Sequence, residues 1–287
     1  MDFKNAAELL TLCEQHQCPI SEIMIRRECD LAETTREALD LRMKKALAIM
    51  KKSSAEPLVK PRRSMGGLLG GEARLVEQHR QEGKSICGNV LSKAIAYAMG
   101  VLEVSSSMGL IVAAPTAGSS GVVPGVLLAL WEESEASEEK LIRALYNSSA
   151  VGYLAMRNAT VAGAVGGCQA EVGVASAMAA SAAVELMDGT PKQCLDSAST
   201  AMMNLLGLVC DPVGGLVEYP CQNRNAIGVA NALTAAELAL SGVNQLIPFD
   251  EMLAAMYHVG RRLAPELRET AMGGCAATPT GCAACKR

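Results

Sequence analysis

A hydrophobic core for this chain has to be built almost without aromatic rings. Its 287 residues include two Phe, five Tyr and one Trp, 3% of the whole, whereas 50% are hydrophobic and 20% charged. That balance belongs to a folding chain and not to a disordered one. The length allows one large domain or two small ones. Core formation falls to Ala, Val, Leu, Ile and Met, with 26 Gly letting backbones approach closely. Such a composition favours packed helices over a β-sandwich, because strands draw on aromatic and β-branched residues.

The hydrophobic pattern agrees. Few segments alternate with period two, and the expected fold class is all-α: a multi-helix catalytic domain, residues 61–287, behind an N-terminal helical arm, residues 1–60. Within the arm, a short amphipathic start around Leu9 to Cys13 precedes a new helix after Pro19. A long surface helix is expected from Ile23 through Ala55. Lys60–Gly71 (KPRRSMGGLLGG) is a loop, either a linker or a lid that contacts substrate. Beyond it helices are expected at Ala73–Gln81, Val90–Met99, Val122–Glu133, Ser137–Asn158, Ala170–Met187, Pro191–Leu208, Asn225–Ser241 and Phe249–Leu263.

Charge narrows the choice of partners. With 26 basic against 30 acidic residues the net charge is −4, which leaves neither a basic field nor stacking rings to grip nucleic acid. The uncharged stretch Val104–Trp131 is interrupted by Pro115, Pro124 and a run of Ser and Gly. It is therefore expected to be buried in protein and not to span a membrane. Met1–Leu10 carries interleaved charges where a secretory leader would be basic and then apolar, so a cytoplasmic location is expected.

Three loops place Gly, Pro, Ser, Thr or Cys inside otherwise apolar sequence: Ala113–Gly125, Gly163–Glu171 and Val209–Asn225. Buried polar loops are costly unless they surround something, so one shared pocket is expected. The chain has 11 cysteines, an odd number that argues against a disulfide framework. Cys13, Cys18, Cys29, Cys87 and Cys194 read as small structural hydrophobes. Cys282 and Cys285 form a lone C-x-x-C without the second pair a zinc site needs.

Cys168, Cys210 and Cys221 lie in or beside the polar loops, each near Gly or Pro. They are either three unrelated core cysteines or the ligands of an iron–sulfur cube whose fourth iron stays open as a Lewis acid. The surrounding segments, GGCQAEVG, LVCDPVGGLVEYPCQNRNAIG, MGLIVAAPTAGSSGVVPG, NQLIPFDEM and LRETAMGGCAATPTG, resemble the alpha subunit of the iron–sulfur-dependent L-serine dehydratases. PISEIMIRRE near the N-terminus extends the resemblance over nearly the whole chain.

The resemblance implies that Cys168, Cys210 and Cys221 hold a [4Fe-4S] cluster. L-serine would be deaminated to pyruvate and ammonia, with the open iron acting on the substrate hydroxyl. It also implies a separate beta subunit, hence a hetero-oligomer, because no segment here matches the Ser-Ser-His-Thr signature of the beta region. Two residues depart from the family pattern, Cys275 in place of an aliphatic residue and Val165 in place of an acidic one. No lysine sits in a PLP-type phosphate cup, so no PLP is expected.

Thr116, Ser119 and Ser120, with the neighbouring glycine N–H groups, form either a nest for the substrate carboxylate or a tight turn between buried helices. Arg224 pairs with that carboxylate, caps the following helix or braces the cysteine loop. Asp211 is expected to support Cys210. His16, His79 and His258 read as surface or structural histidines, which leaves the general base to the partner subunit. Cys285 is a candidate transient cap for the open iron, against a frayed tail. The rival to the enzyme reading is a non-catalytic helical scaffold or regulatory subunit.

Overall fold

The computed structural model describes residues 1–284, and among them only helices and connecting loops occur, apart from one isolated parallel bridge between Cys210 and Arg268. In chain order the helices are α1 (Ala6–His16), α2 (Ile20–Leu31), α3 (Arg36–Val59), α4 (Glu72–Gln81), α5 (Gly88–Ser106), α6 (Val122–Glu133) and α7 (Glu138–Asn158). A single turn α8 (Gly163–Gly166) follows, then α9 (Val174–Leu186), α10 (Pro191–Asn204), α11 (Cys221–Leu240), α12 (Phe249–Arg262) and a short α13 (Pro279–Ala284). The all-α expectation holds.

Helix α9, VASAMAASAAVEL, runs through the centre of the molecule with all but one of its residues buried. Its neighbours are α6, α7, α10 and α11. Small side chains on every face let four helices crowd round one, which is how a core poor in aromatic rings reaches native density. Ser176 Oγ on α9 donates to the Gly228 carbonyl on α11 at 3.0 Å and accepts from Asn231 Nδ2 at 2.8 Å. Ser176 and Asn231 are thus satisfied locally across the α9–α11 contact. On the other side α5 packs against α3, α4, α6 and α11.

Several boundaries differ from the sequence expectation. The long helix expected from Ile23 to Ala55 is two helices, interrupted at residues 32–35. Glu33 adopts a left-handed φ of 46° and the Thr35 side chain caps α3 by accepting from the Ala38 N–H. Nor is the first of them a solvated surface helix: Ile20, Ile23, Met24 and Ile25 are buried, and α2 lies against α7. One apolar core runs from Phe3, Leu9 and Ile23 through Leu127 and Val151 to Met256. Helix α5 continues to Ser106, past the expected Met99, and α10 stops at Asn204, before a turn with Gly207 at φ +87°. The segment expected to open a helix at Ala170 begins with a π-helical turn, Gln169–Gly173. Helix α11 starts earlier than expected, at Cys221. Among the described residues no helix is long and apolar enough to cross a membrane.

Candidate thiol site

Each of the three cysteines is fixed by a different local device. Cys168 follows Gly167, whose φ of +76° turns the chain into the π-helical segment. Extra residues of this kind inside helices recur at functional sites. Its neighbour Gln169, fully buried, donates to the carbonyls of Gly166 at 2.8 Å and Met256 at 3.0 Å and accepts from Gly207 N–H at 2.7 Å. Cys210 lies in the isolated bridge, donating through its N–H to Leu267 O at 2.9 Å and accepting from Glu269 N–H at 2.7 Å. Cys221 is the first residue of α11.

These devices bring the thiols within electrostatic reach of one another. Burial pushes the Cys168 thiol up to about 12, helped by Glu171 and opposed by Arg224. Burial likewise raises Cys221 to about 12, with Cys168 and Glu171 adding to it. Cys210 is raised furthest, first by burial and then by Glu171, Cys168, Glu269 and Cys221. Burial and the neighbouring carboxylates favour the neutral thiols here, whereas a metal-coordinated thiol is deprotonated.

Among the described residues no group of three or more His, Cys, Asp or Glu side chains is arranged to hold a single metal ion. The donor set of three cysteine thiols is of the soft kind that iron–sulfur clusters take. The wall beside Cys210 is kept open by Gly163, where a Cβ would meet Glu171 Oε2 at 2.7 Å and Cys210 Sγ at 3.1 Å.

Polar residues from the other loops line the same region. Thr116 Oγ1 donates to Glu171 Oε1 at 2.8 Å and lies 3.1 Å from Ser119 Oγ. Ser120 Oγ turns back to the Ala117 carbonyl at 2.8 Å. Asn225, one turn into α11, donates to Gly118 O at 2.8 Å and Cys221 O at 2.9 Å and accepts from Gly121 N–H at 3.0 Å. It thereby staples the Thr116–Gly121 turn to the Cys221 turn. Of the three roles open to Arg224, the contacts made are those of a brace: Nη1 donates to Val209 O at 2.7 Å and lies 2.7 Å from Asp211 Oδ1. The other oxygen of Asp211 accepts from Cys275 N–H at 2.6 Å, so Asp211 supports the cysteine loop and also ties the C-terminal segment to it.

Glu171 is the site residue that the sequence reading passed over. Burial lifts its carboxyl, opposed by the Thr116 hydrogen bond and reinforced by Glu269, and its Oε2 lies 3.8 Å from Cys210 Sγ. The available signal was a lone carboxylate in the apolar run GGCQAEVG. His16, His79 and His258 are exposed, on α1, α4 and α12. The cap expected of Cys285 lies outside the described residues.

An all-helical chain with three neighbouring thiols on two polar loops defines a narrow class, and comparison with known proteins identifies it. The serine dehydratase alpha chain family matches residues 15–276, and the chain belongs to that family. It is 44% identical to the probable L-serine dehydratase alpha chain of Bacillus subtilis over 97% of this chain and 93% of that one. It is 42% identical to the L-serine dehydratase alpha chain of Peptoniphilus asaccharolyticus, covering 96% and 94%. The L-serine dehydratase of Helicobacter pylori is 37% identical over 96% of this chain, which spans 62% of that longer protein.

Proposed function

We propose that this chain is the catalytic alpha component of an L-serine dehydratase and that Cys168, Cys210 and Cys221 hold its [4Fe-4S] cluster. The reading is supported by the family match over residues 15–276 together with the place of Glu171, whose Oε2 lies 3.8 Å from Cys210 Sγ and whose charge also acts on the Cys168 and Cys221 thiols. When bound, the cluster supplies a Lewis acid for the departing hydroxyl of the substrate. The rest falls to the protein. The Thr116–Gly121 turn, with Ser119 and Ser120, takes the substrate carboxylate, and Arg224 adds positive charge nearby. Glu171, beside Cys210 and hydrogen-bonded by Thr116, is placed to take part in proton transfer at the reacting region. Residues 61–287 form the catalytic region and 1–60 the arm. The cytoplasm, a reducing compartment, suits the free thiols.

The base that removes the α-proton comes from a beta subunit. Helicobacter pylori L-serine dehydratase is a longer single chain of which this one spans 62%, which leaves room there for a second functional region. The partner is assigned to the apolar rim beside the site, where Met65, Met108, Leu110, Leu216, Val217 and Tyr219 are exposed. Met65 N–H donates to Ser106 O at 2.9 Å, and a Cβ built on the adjacent Gly66 would fall 2.5 Å from Leu216 Cδ1, so the two sides of the rim meet at the 65–66 turn.

Anaerobic purification tests the reading. The expected result is a brown chain with about four irons, with iron and sulfide falling sharply in Cys168→Ala. A wild-type chain that takes up no iron on reconstitution, or a Cys168→Ala variant that keeps all of it, would overturn it.

A further inference from the structure

The loop Lys60–Gly71 is strapped at both its stem and its tip by buried carboxylates. Glu103 on α5, fully buried, accepts from the N–H groups of Arg62 at 3.4 Å, Gly71 at 3.2 Å and Ala73 at 3.0 Å. Glu218, 2% exposed, accepts from Ser64 Oγ at 2.7 Å, Gly66 N–H at 2.6 Å and Leu68 N–H at 3.0 Å. Glu103 fastens the stems to a helix, whereas Glu218 fastens the tip to the segment that carries Cys221. The approach is close: a Cβ on Gly66 would meet Leu216 Cδ1 at 2.5 Å and Glu218 Oε1 at 2.8 Å.

Glu218 also accepts through its own carbonyl from Gln222 N–H at 2.9 Å, in the first turn of α11. One residue therefore joins the glycine loop to the turn that presents the Cys221 thiol. A buried carboxylate is held by these donors alone, without a cation among its contacts in the described residues, so losing one leaves the others badly placed.

We infer that Glu218 is a positioning residue for Cys221, acting as a latch between the Ser64–Leu69 loop tip and the start of α11. The inference rests on the reading of Cys221 as a cluster ligand. Releasing the latch lets the turn before α11 move and exposes the thiol, so that the cluster is held less firmly.

The test compares wild type, Glu218→Gln, Ser64→Ala and the double variant. In cluster-free chains, alkylation of Cys221 by iodoacetamide is followed by mass spectrometry, with Cys194, buried away from the loop, as an internal control. The expected result is a rise of about tenfold in the Cys221 rate for Glu218→Gln, a smaller rise for Ser64→Ala, an unchanged Cys194 rate, and a double variant no faster than Glu218→Gln alone. In reconstituted chains the visible absorption of the cluster should decay faster under a ferrous chelator in Glu218→Gln. Equal Cys221 rates in all four chains overturn the latch, as does a parallel rise at Cys194, which reports general loosening. If Glu218→Gln does not fold, Ser64→Ala carries the same comparison. A wild type that takes up no iron refutes the cluster reading separately, and the alkylation rates then decide the latch alone.

Discussion

At Arg224 and Asp211 a buried ion pair holds the segment between two of the thiols. The guanidinium is 15% exposed and the carboxylate 2%, so removing one partner strands the other away from water. Arg224→Ala is expected to lower stability by about 3–5 kcal/mol, measured by urea unfolding of the anaerobic protein, with Asp211→Asn recovering part of the loss in the double variant. Gln169 carries a similar load with no charge: Gln169→Ala would remove the side-chain partner of the Gly166 carbonyl and of the Gly207 N–H, at a cost of about 2–4 kcal/mol. Glu185 gives a pH dependence of definite sign. Burial lifts its carboxyl above the usual range, against hydrogen bonds from Ser21 and Asn147. The folded chain therefore binds that proton more tightly than the unfolded one. The associated stability is complete below the ordinary carboxyl range and is lost as pH rises through the raised value. Glu185→Gln should thus gain on wild type as pH rises from about 5 to 8, and a Tm difference that stays flat would refute the assignment. None of these roles could be read along the chain. Asp211 and Arg224 stand out in the sequence for their closeness to Cys210 and Cys221, but whether an arginine meets a substrate or a carbonyl depends on what folding sets opposite it.

Among the elements, those with strong local signals followed the sequence. Helix α6 has the expected limits, and α10 opens with Pro191 after a Thr190–Gln193 capping box. The departures occur where tertiary contacts override periodicity. The π-helical turn at Gln169–Gly173 has no hydrophobic-period signature, because it is the fastening of Gln169 to α12 and to the Gly207 turn that holds it. Helix α6 approaches α5 so closely that a Cβ on Gly121 would fall 2.3 Å from Ala98 O. Gly121→Ala is expected to destabilise by about 1–3 kcal/mol through overpacking, seen as a lower Tm. Because Asn225 holds the Gly121 N–H, the same substitution should disturb the Thr116–Gly121 turn and weaken serine binding more than turnover.

For the whole molecule, the proposed function calls for two additions to this site, an inorganic centre and a second chain. If the apolar rim receives the beta subunit, Leu110→Asp or Val217→Asp should abolish co-purification of the two chains while leaving the iron content of this one unchanged. Retained co-purification would place the partner elsewhere. The composition determined that this chain folds as helices around a small-residue core, since Ala, Val and Gly can fill that core only by close helix packing. The motif segments marked three cysteines out of 11 as a set. Tertiary structure alone decided that their thiols share one electrostatic neighbourhood, that Glu171 and Thr116 stand beside them, and that Arg224 turns to Val209 and Asp211. Contacts of this kind join residues well separated along the chain, Thr116 and Glu171 by 55 positions, and such closeness is created by packing, which local sequence pattern does not encode.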